Sequence, residues 1–229
     1  MHTMNLVQIR LRIDFDKKTV LRTPAHKVFD ALGGKLKGGG GPIEPAADIK
    51  FEDIKTAVKW DYDSCKIVIE QDYEQYEQYQ DALMKLLLMI DSAAPIGRMQ
   101  SILLDTNWML PVTLADYASL NALYKQKMII HHDFMNDASD SSVILDFAMG
   151  DYILHHQSGP MQSEQLRNDW LMFSRKDLPK LFMFLNVAIK QIKVVDYSKK
   201  EMGNFFKTAF AHCRSHSEGF GSIWEVVNE

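Results

Sequence analysis

Ten residues near the beginning of the chain, Leu6 to Phe15, alternate between apolar and polar side chains. The apolar positions are Val7, Ile9, Leu11, Ile13 and Phe15. Successive side chains of an extended strand point to opposite faces, so this period of two predicts a half-buried β-strand. A strand of this kind needs neighbours to satisfy its backbone hydrogen bonds, and the chain must therefore contain a sheet.

Short apolar runs bounded by turn residues predict the other strands. Four of them form two hairpins, one around Asp63 and Ser64 and the other around Gly150 and Asp151, because such pairs favour tight turns. The predicted strands cover residues 58–62, 66–70, 98–110, 143–149, 152–156 and 170–174.

Stretches rich in strong helix formers predict the helices. They cover residues 25–32, 73–92, 114–128, 178–192 and 199–216. Thr113 is the predicted N-cap of the third helix, since Asp116 stands three residues further on, and Gly219 is predicted to stop the last. Strands in antiparallel pairs followed by late helices favour an α+β fold, with a mostly antiparallel sheet packed against four to five helices concentrated in the C-terminal half.

The length of 229 residues fits a single α+β domain spanning residues 1–229. An alternative is a division into two lobes near residues 133–142, where Asn, Asp and Ser predict a surface loop. Residues 33–45 are dominated by glycine and contain two prolines, a composition that disfavours regular structure. We expect a flexible loop over that stretch.

Composition restricts the partners and the compartment. The net charge of −4 and the pI near 6.1 argue against nucleic acid, which usually binds a basic surface. The longest apolar cluster, residues 83–90, is interrupted by Lys85 and is too short to cross a bilayer, so no membrane association is expected. The two cysteines are far apart and no secretory signal is visible at the start, which indicates a cytoplasmic location.

Three groups of histidines suggest a metal site. The candidate ligands are His131, His132, Asp133, His155, His156, His212 and His216. Imidazole and carboxylate groups are what a catalytic divalent metal requires, so one hypothesis is a metal-dependent hydrolase or nuclease. The chain nevertheless contains no H-E-x-x-H, paired C-x-x-C or EF-hand pattern, and ordinary helix-end and strand roles account for each group.

A second hypothesis concerns the glycine-rich stretch, whose backbone N–H groups are suited to cradle a phosphate. The residues involved are Lys35, Lys37, Gly38 and Gly39. This would make the chain a nucleotide-binding or phosphate-binding protein. The stretch matches neither the P-loop nor the dinucleotide fingerprint, and no cofactor is predicted from it.

Aromatic residues and thirteen methionines support the leading hypothesis, a non-catalytic interaction or scaffold protein that binds a protein partner or associates with itself. Tyrosine and tryptophan are enriched at interface hot spots, and methionine adapts to irregular partners. The candidate contact residues are Tyr73, Tyr76, Tyr79, Trp108, Tyr117 and Tyr124. Since no nucleophile motif accompanies Ser222 or Cys65, the sequence leans away from an enzyme.

Overall fold

The computed structural model describes residues 4–16, 23–36, 39–43, 46–73, 75–129, 137–169, 171–173, 175 and 177–224. The helices α1 to α5 are Thr23–Leu36, Tyr76–Ala93, Tyr117–Met128, Ser163–Asp169 and Lys199–Ser222. The strands β1 to β10 are Asn5–Phe15, Gly39–Ile43, Ala46–Phe51, Thr56–Trp60, Ser64–Ile69, Arg98–Pro111, Val143–Met149, Tyr152–Gln162, Leu181–Gln191 and Val195–Asp196.

All ten strands belong to one antiparallel sheet in the order β2-β3-β4-β5-β1-β6-β9-β8-β7, with β10 pairing beside one end of β6. The predicted α+β class is confirmed. The sheet is antiparallel, five α-helices occur in the described residues, and three of them lie in the C-terminal half. Strands from before and after residues 137–142 are neighbours in this one sheet.

The sheet is built from two halves that meet where β1 pairs with β6. In each half the first strand in chain order lies at the centre of the sheet, and the last strand pairs with it. The remaining strands follow outward in reverse chain order. The first half has five strands and ends at β2, whereas the described second half, apart from β10, has four and ends at β7. The outer edges of β2 and β7 are therefore the two edges of the sheet.

One face of the sheet holds the main core beneath α1, α2, α3 and α5. Leu11 of β1 packs there in one apolar cluster with Leu87 of α2 and Phe206 of α5, all at most 1% exposed. Each side chain buried so completely stabilises the fold by about 1.5–3 kcal/mol. Among the described residues, no helix combines the length and the apolar character needed to cross a membrane.

On the opposite face, the apolar cluster of the described residues lies at one end. There Leu166 of α4 packs against Met109, Phe182 and Phe184 in a smaller apolar cluster. A register shift in β1 between Leu6 and Gln8 marks where this cluster begins. Further along the same face β1 carries polar side chains, which explains the alternation in its sequence.

The predicted helix over residues 178–192 is wrong, because β9 occupies Leu181–Gln191. This strand lies between β6 and β8. Its first nine residues, Leu181 to Ile189, are all buried. A strand covered on both faces has a continuous apolar sequence instead of an alternating one. Its periodicity therefore cannot be distinguished from that of a buried helix.

The prediction that residues 33–45 form no regular element is also wrong. Helix α1 continues to Leu36, and Gly39–Ile43 forms the edge strand β2, paired with β3. An edge position explains how a strand tolerates Pro42. Proline has no N–H group to donate, and the outer side of an edge strand has no neighbouring strand that requires one. Strand β3 itself, Ala46–Phe51, was not predicted.

Three smaller predictions are corrected by the structure. No strand forms over the described residues of 170–174, and the preceding segment forms the short helix α4 instead. Helix α3 begins after Asp116, whose Oδ1 accepts a hydrogen bond from the Ser119 N–H at 2.8 Å, so Thr113 is not the N-cap. Helix α5 passes through Gly219 to Ser222 because its apolar face remains buried up to Phe220.

Candidate functional site

A cleft of about 910 Å³ lies where α2 begins, α5 ends, and β1 and β6 reach one end of the sheet. Arg175, Asp177 and Pro179 form its remaining wall. We call this cleft the aromatic groove, because four of the six aromatic residues singled out in the sequence line it. These residues are Tyr73, Tyr76, Tyr79 and Trp108.

The four rings form two packed pairs. Tyr73 and Tyr79 meet edge to face with 4.8 Å between ring centroids, and Tyr76 lies 5.5 Å from Trp108. Tyr79 and Trp108 are buried, whereas Tyr73 and Tyr76 are partly exposed to the cleft. Mutual packing of this kind fixes the ring orientations before any partner arrives, which reduces the entropic cost of binding.

The start of α2 places the tyrosines. Gln75 is the N-cap, and its backbone N–H donates to Oε1 of Gln78 at 3.0 Å in a capping box. Because the helix begins at Tyr76, Tyr79 lies three residues on and shares its face. The Tyr73 N–H donates to the Tyr79 hydroxyl at 3.3 Å, which ties the preceding loop to the helix.

The buried carboxylate of Glu70 holds the chain leading into the groove wall. It accepts hydrogen bonds from the backbone N–H groups of Met172 at 2.6 Å and Phe173 at 2.9 Å. The Gln8 side-chain amide donates a third at 2.6 Å, and Gln8 accepts in turn from Asn107. A buried polar network satisfied in this way fixes one arrangement of the groups that it joins.

Arg175 fixes the wall itself. Its Nη2 donates to both carboxylate oxygens of Asp72, at 2.7 and 2.9 Å, and lies 3.6 Å from Asp177. Its Nη1 donates to the Val7 carbonyl at 3.3 Å. Hydrogen bonds between two charged groups are stronger than neutral ones, so this contact holds Arg175 against Asp72. The pKa of the Asp177 carboxyl is lowered, first by a hydrogen bond from its own backbone N–H and then by Arg175.

The second guanidinium of the groove belongs to α5. Arg214 pairs with Glu218 at 2.8 Å and lies 5.8 Å from the centre of the Tyr76 ring. Burial raises the pKa of Tyr76, so its hydroxyl stays neutral at physiological pH. Among the described lining residues three carboxylates outnumber the two guanidiniums, which gives the groove a slight negative excess.

Tyr117 and Tyr124 do not line the groove. Both lie on α3, which packs against β8. The Tyr117 hydroxyl donates to Asp140, and the fully buried Tyr124 stacks on Trp224 with 6.0 Å between ring centroids. The structure therefore places these two residues in the packing of α3.

A chain of hydrogen bonds runs through the interior from α5 to α3. Nε2 of His216 lies 2.8 Å from Nδ1 of His156, whose Nε2 lies 2.7 Å from the Ser158 hydroxyl. That hydroxyl is 2.9 Å from the Tyr124 hydroxyl. A serine hydrogen-bonded to a histidine is the arrangement of an activated nucleophile, but Ser158 is 1% exposed and no substrate can reach it.

The candidate metal ligands are distributed over separate surfaces. His155 pairs with Asp146 at 2.7 Å on one face of the sheet, while His156 and His216 meet on the other. His212 is exposed on α5. No three His, Cys, Asp or Glu side chains converge within the ranges that the structure describes. The residues His131, His132 and Asp133 lie outside those ranges.

The glycine-rich candidates are divided between two elements. Lys35 belongs to the last turn of α1 and Gly39 begins β2, while Lys37 and Gly38 lie outside the described residues. The described backbone of Gly39–Ile43 pairs with β3, so its inward N–H groups belong to the sheet. A phosphate cradle at this position gains no support from those residues.

Sequence reasoning missed the polar residues that build the groove. Glu70 and Arg175 are separated by more than one hundred residues, and neither belongs to a recognisable motif. Arg175 also follows the predicted strand over residues 170–174, whose described residues form no strand, and this error hid the role of Arg175. The only local sign is the presence of a carboxylate and an arginine beside turn residues, and that sign is too common to identify a site.

Comparisons with known proteins give no family. No family model matches the chain, and no curated protein matches it. One matched solved structure is Methanococcus jannaschii TBP, which is 10% identical over 98% of this chain and 99% of that chain. Its TM-score of 0.28 is too low to show a common fold, so the match bears on no function.

Proposed function

We propose that this chain is a non-catalytic interaction protein that holds a peptide segment of a protein partner in the aromatic groove. The observation that carries the proposal is the convergence of Tyr73, Tyr76, Tyr79 and Trp108 on one cleft, although Trp108 comes from a distant strand. Partly exposed aromatic rings on a rigid support bury large areas at small entropic cost. They are therefore suited to anchor a partner.

The charges of the groove suggest which segment fits it. Exposed carboxylates of Asp72, Asp177 and Glu218 surround the rings, and their side chains are between 55% and 70% exposed. Both arginines are already paired with these acids. A segment with an apolar side chain for the rings and a Lys or Arg for the rim satisfies both features.

The groove offers little that would support chemistry. The two serine hydroxyls of the lining, on Ser217 and Ser222, donate to the carbonyls of Arg214 and Gly219 within α5. No histidine lines the cleft among the described residues. The three carboxylates of the lining pair with Arg175 or Arg214, and both serine hydroxyls donate to helix carbonyls, so binding is a better account of this cleft than hydrolysis.

Self-association and a cytoplasmic location complete the proposal. Cys65 and Cys213 are both free and buried, which suits a reducing compartment. Self-association would make the chain a scaffold that presents more than one groove.

Peptide selection tests the groove. Peptides displayed from a random library are selected on the wild-type protein and on Tyr76→Ala, with Tyr62→Ala as a matched control on a distant hairpin. We expect the wild type and the control to enrich peptides combining aromatic or aliphatic residues with Lys or Arg. Affinity of the selected peptides should fall about tenfold or more for Tyr76→Ala, because a central aromatic anchor is removed.

Charge reversal distinguishes the groove from other surfaces. Glu218→Lys should weaken the selected basic peptides, and a peptide in which the basic residue becomes Glu should recover part of the affinity on that variant. Peptides that bind all variants equally, or an enrichment without basic residues, would contradict the proposal.

A further inference from the structure

We infer that the outer edge of β7 pairs with β7 of a second copy of this chain, so that two sheets join into one. The inference rests on the self-association part of the proposed function, and it does not involve the aromatic groove. Strand β7 is the last strand of the described second half, and no described strand pairs with its outer side. Alternate residues of β7 therefore direct backbone groups to a side on which no described strand pairs.

The hairpin with β8 determines which backbone groups point outward. Met149 and Tyr152 close a two-residue turn around Gly150, whose φ is +63°, and Gly150 has no neighbour that a side chain would meet. In such a hairpin the closing pair is hydrogen-bonded and the bonded pairs then alternate. The N–H and C=O groups of Ile144, Asp146 and Ala148 consequently face away from β8 and are available to another strand.

The side chains of β7 are unusually apolar for an edge strand. Ile144 is 57% exposed, Leu145 46% and Phe147 41%. They occupy both faces, since Ile144 shares the face of Asp146 while Phe147 lies on the other, 6.0 Å from the His216 ring. Edge strands of monomers are normally protected by lysine, proline or bulges. The one charge here, Asp146, is paired with His155.

The first half of the sheet has one strand more than the described second half, apart from β10. Counted outward from the centre, β3 occupies the fourth place in the first half, as β7 does in the second. Strand β2 pairs with the outer side of β3 over five residues, and the described second half has no such strand. The edge of β7 is thus the place where one more strand completes the pattern.

A second copy fits this edge by symmetry. A two-fold axis perpendicular to the sheet reverses the strand direction, which gives antiparallel pairing, and it leaves both faces on their own sides. With the axis at Leu145, the two Leu145 side chains meet and Val143 lies opposite Phe147. Asp146 then lies opposite Ile144 and not opposite its own copy, which avoids a like-charge pair.

Sedimentation velocity over a concentration series tests the dimer. The wild-type mass should rise from that of the 26.3 kDa chain to twice that value with increasing concentration. Ile144→Lys should stay monomeric, because an edge lysine opposes strand pairing. The matched control Leu88→Lys changes an apolar residue of similar exposure, 40%, on α2, and it should dimerise as the wild type does. Far-UV circular dichroism checks that both variants fold.

A disulfide trap tests the register. Since both natural cysteines are buried, Leu145→Cys adds the accessible thiol of the described residues, and the two copies lie about 4.5–5.5 Å apart between Cβ atoms in this pairing. That distance needs only a small shift to form a disulfide, so oxidation should give a covalent dimer much faster than it does for Leu88→Cys.

Three results would overturn the inference. They are a wild type that stays monomeric at millimolar concentration, an Ile144→Lys variant that still dimerises, and equal oxidation rates for the two cysteine variants. The groove is judged separately, because monomeric Ile144→Lys should bind the selected peptides with wild-type affinity. A wild type that binds the selected peptides but stays monomeric contradicts the dimer alone, and a wild type that dimerises but selects no such peptides contradicts the groove alone.

Discussion

His156 and His216 make folding depend on pH. Burial, together with the neighbouring His216 and His155, lowers the pKa of His156 from 6.5 to about 4, and burial lowers that of His216. The folded protein therefore holds fewer protons than the unfolded chain between these values. Stability from this pair is fully present above pH 6.5 and is lost as the pH falls toward 4.

The first prediction at the residue scale follows from this loss of stability at low pH. The thermal midpoint of the wild type should fall steeply between pH 6.5 and 4. His156→Gln should be less stable at neutral pH but should show a shallower fall, because an amide does not titrate. His212→Gln, an exposed control on α5, should keep the wild-type slope. Equal slopes for the three proteins would contradict this account.

Arg175 gives the second prediction. Replacing it by Met should lower the free energy of unfolding by about 1–3 kcal/mol, since the Val7 carbonyl loses a donor and the wall loses its tie to Asp72. The cost is moderate because Asp72 is 55% exposed and regains water. Urea denaturation measures the difference, with Arg214→Met as an exposed control that should change little. If both substitutions lowered the free energy of unfolding equally, the burial of Arg175 would not contribute to stability.

At the scale of single elements, the sequence predicted the strands, turns and helices that depend on a few neighbouring residues. Both hairpins occur where turn-forming pairs separate apolar runs, and β1 follows its alternation from Ile9 to Phe15. The predicted face does not extend to Val7, because the register shift before Gln8 places Val7 in the apolar cluster on the opposite face. Helix α2 lies within two or three residues of its predicted bounds. Strand β9 differs, because burial on both faces removed the period that would have identified it.

The N-cap of α3 is a prediction at this scale. Asp116→Ala should lower the thermal midpoint by a few degrees, because the Ser119 N–H loses its acceptor. That same hydrogen bond lowers the pKa of Asp116, so the stabilisation should disappear as the pH falls below the carboxyl range. Thr113→Ala is the control and should leave the midpoint unchanged. A larger effect of Thr113→Ala would favour the longer helix.

At the scale of the whole molecule, the two buried thiols report on the core. Burial raises the pKa of Cys65 and of Cys213 to about 12, although Cys65 lies on β5 in the first half of the sheet and Cys213 on α5, which packs against β9 in the second. The thiolate is the reactive form, so neither should react with a thiol reagent until the core opens. Because both belong to one apolar cluster, we expect equal labelling rates that rise together with denaturant. A much faster rate at one cysteine would indicate a half that opens by itself.

The amino-acid sequence by itself determined the fold class, the hairpins and the identity of several residues that turn out to line the groove. These follow from period, turn chemistry and the preference of aromatic residues for interfaces, all of which act over a few neighbouring residues. The aromatic residues were singled out without any indication that Trp108 would lie beside Tyr76, since thirty-two positions separate them.

Only the tertiary structure decided how those residues converge, that Glu70 and Arg175 hold the groove wall, and that β7 is left at an edge. Strand order depends on which apolar surfaces find one another across long loops, and linear order does not record that choice. His155 and His156 show that even neighbouring residues can be separated by the tertiary structure. They are sequence neighbours, yet the pleat places them on opposite faces of the sheet.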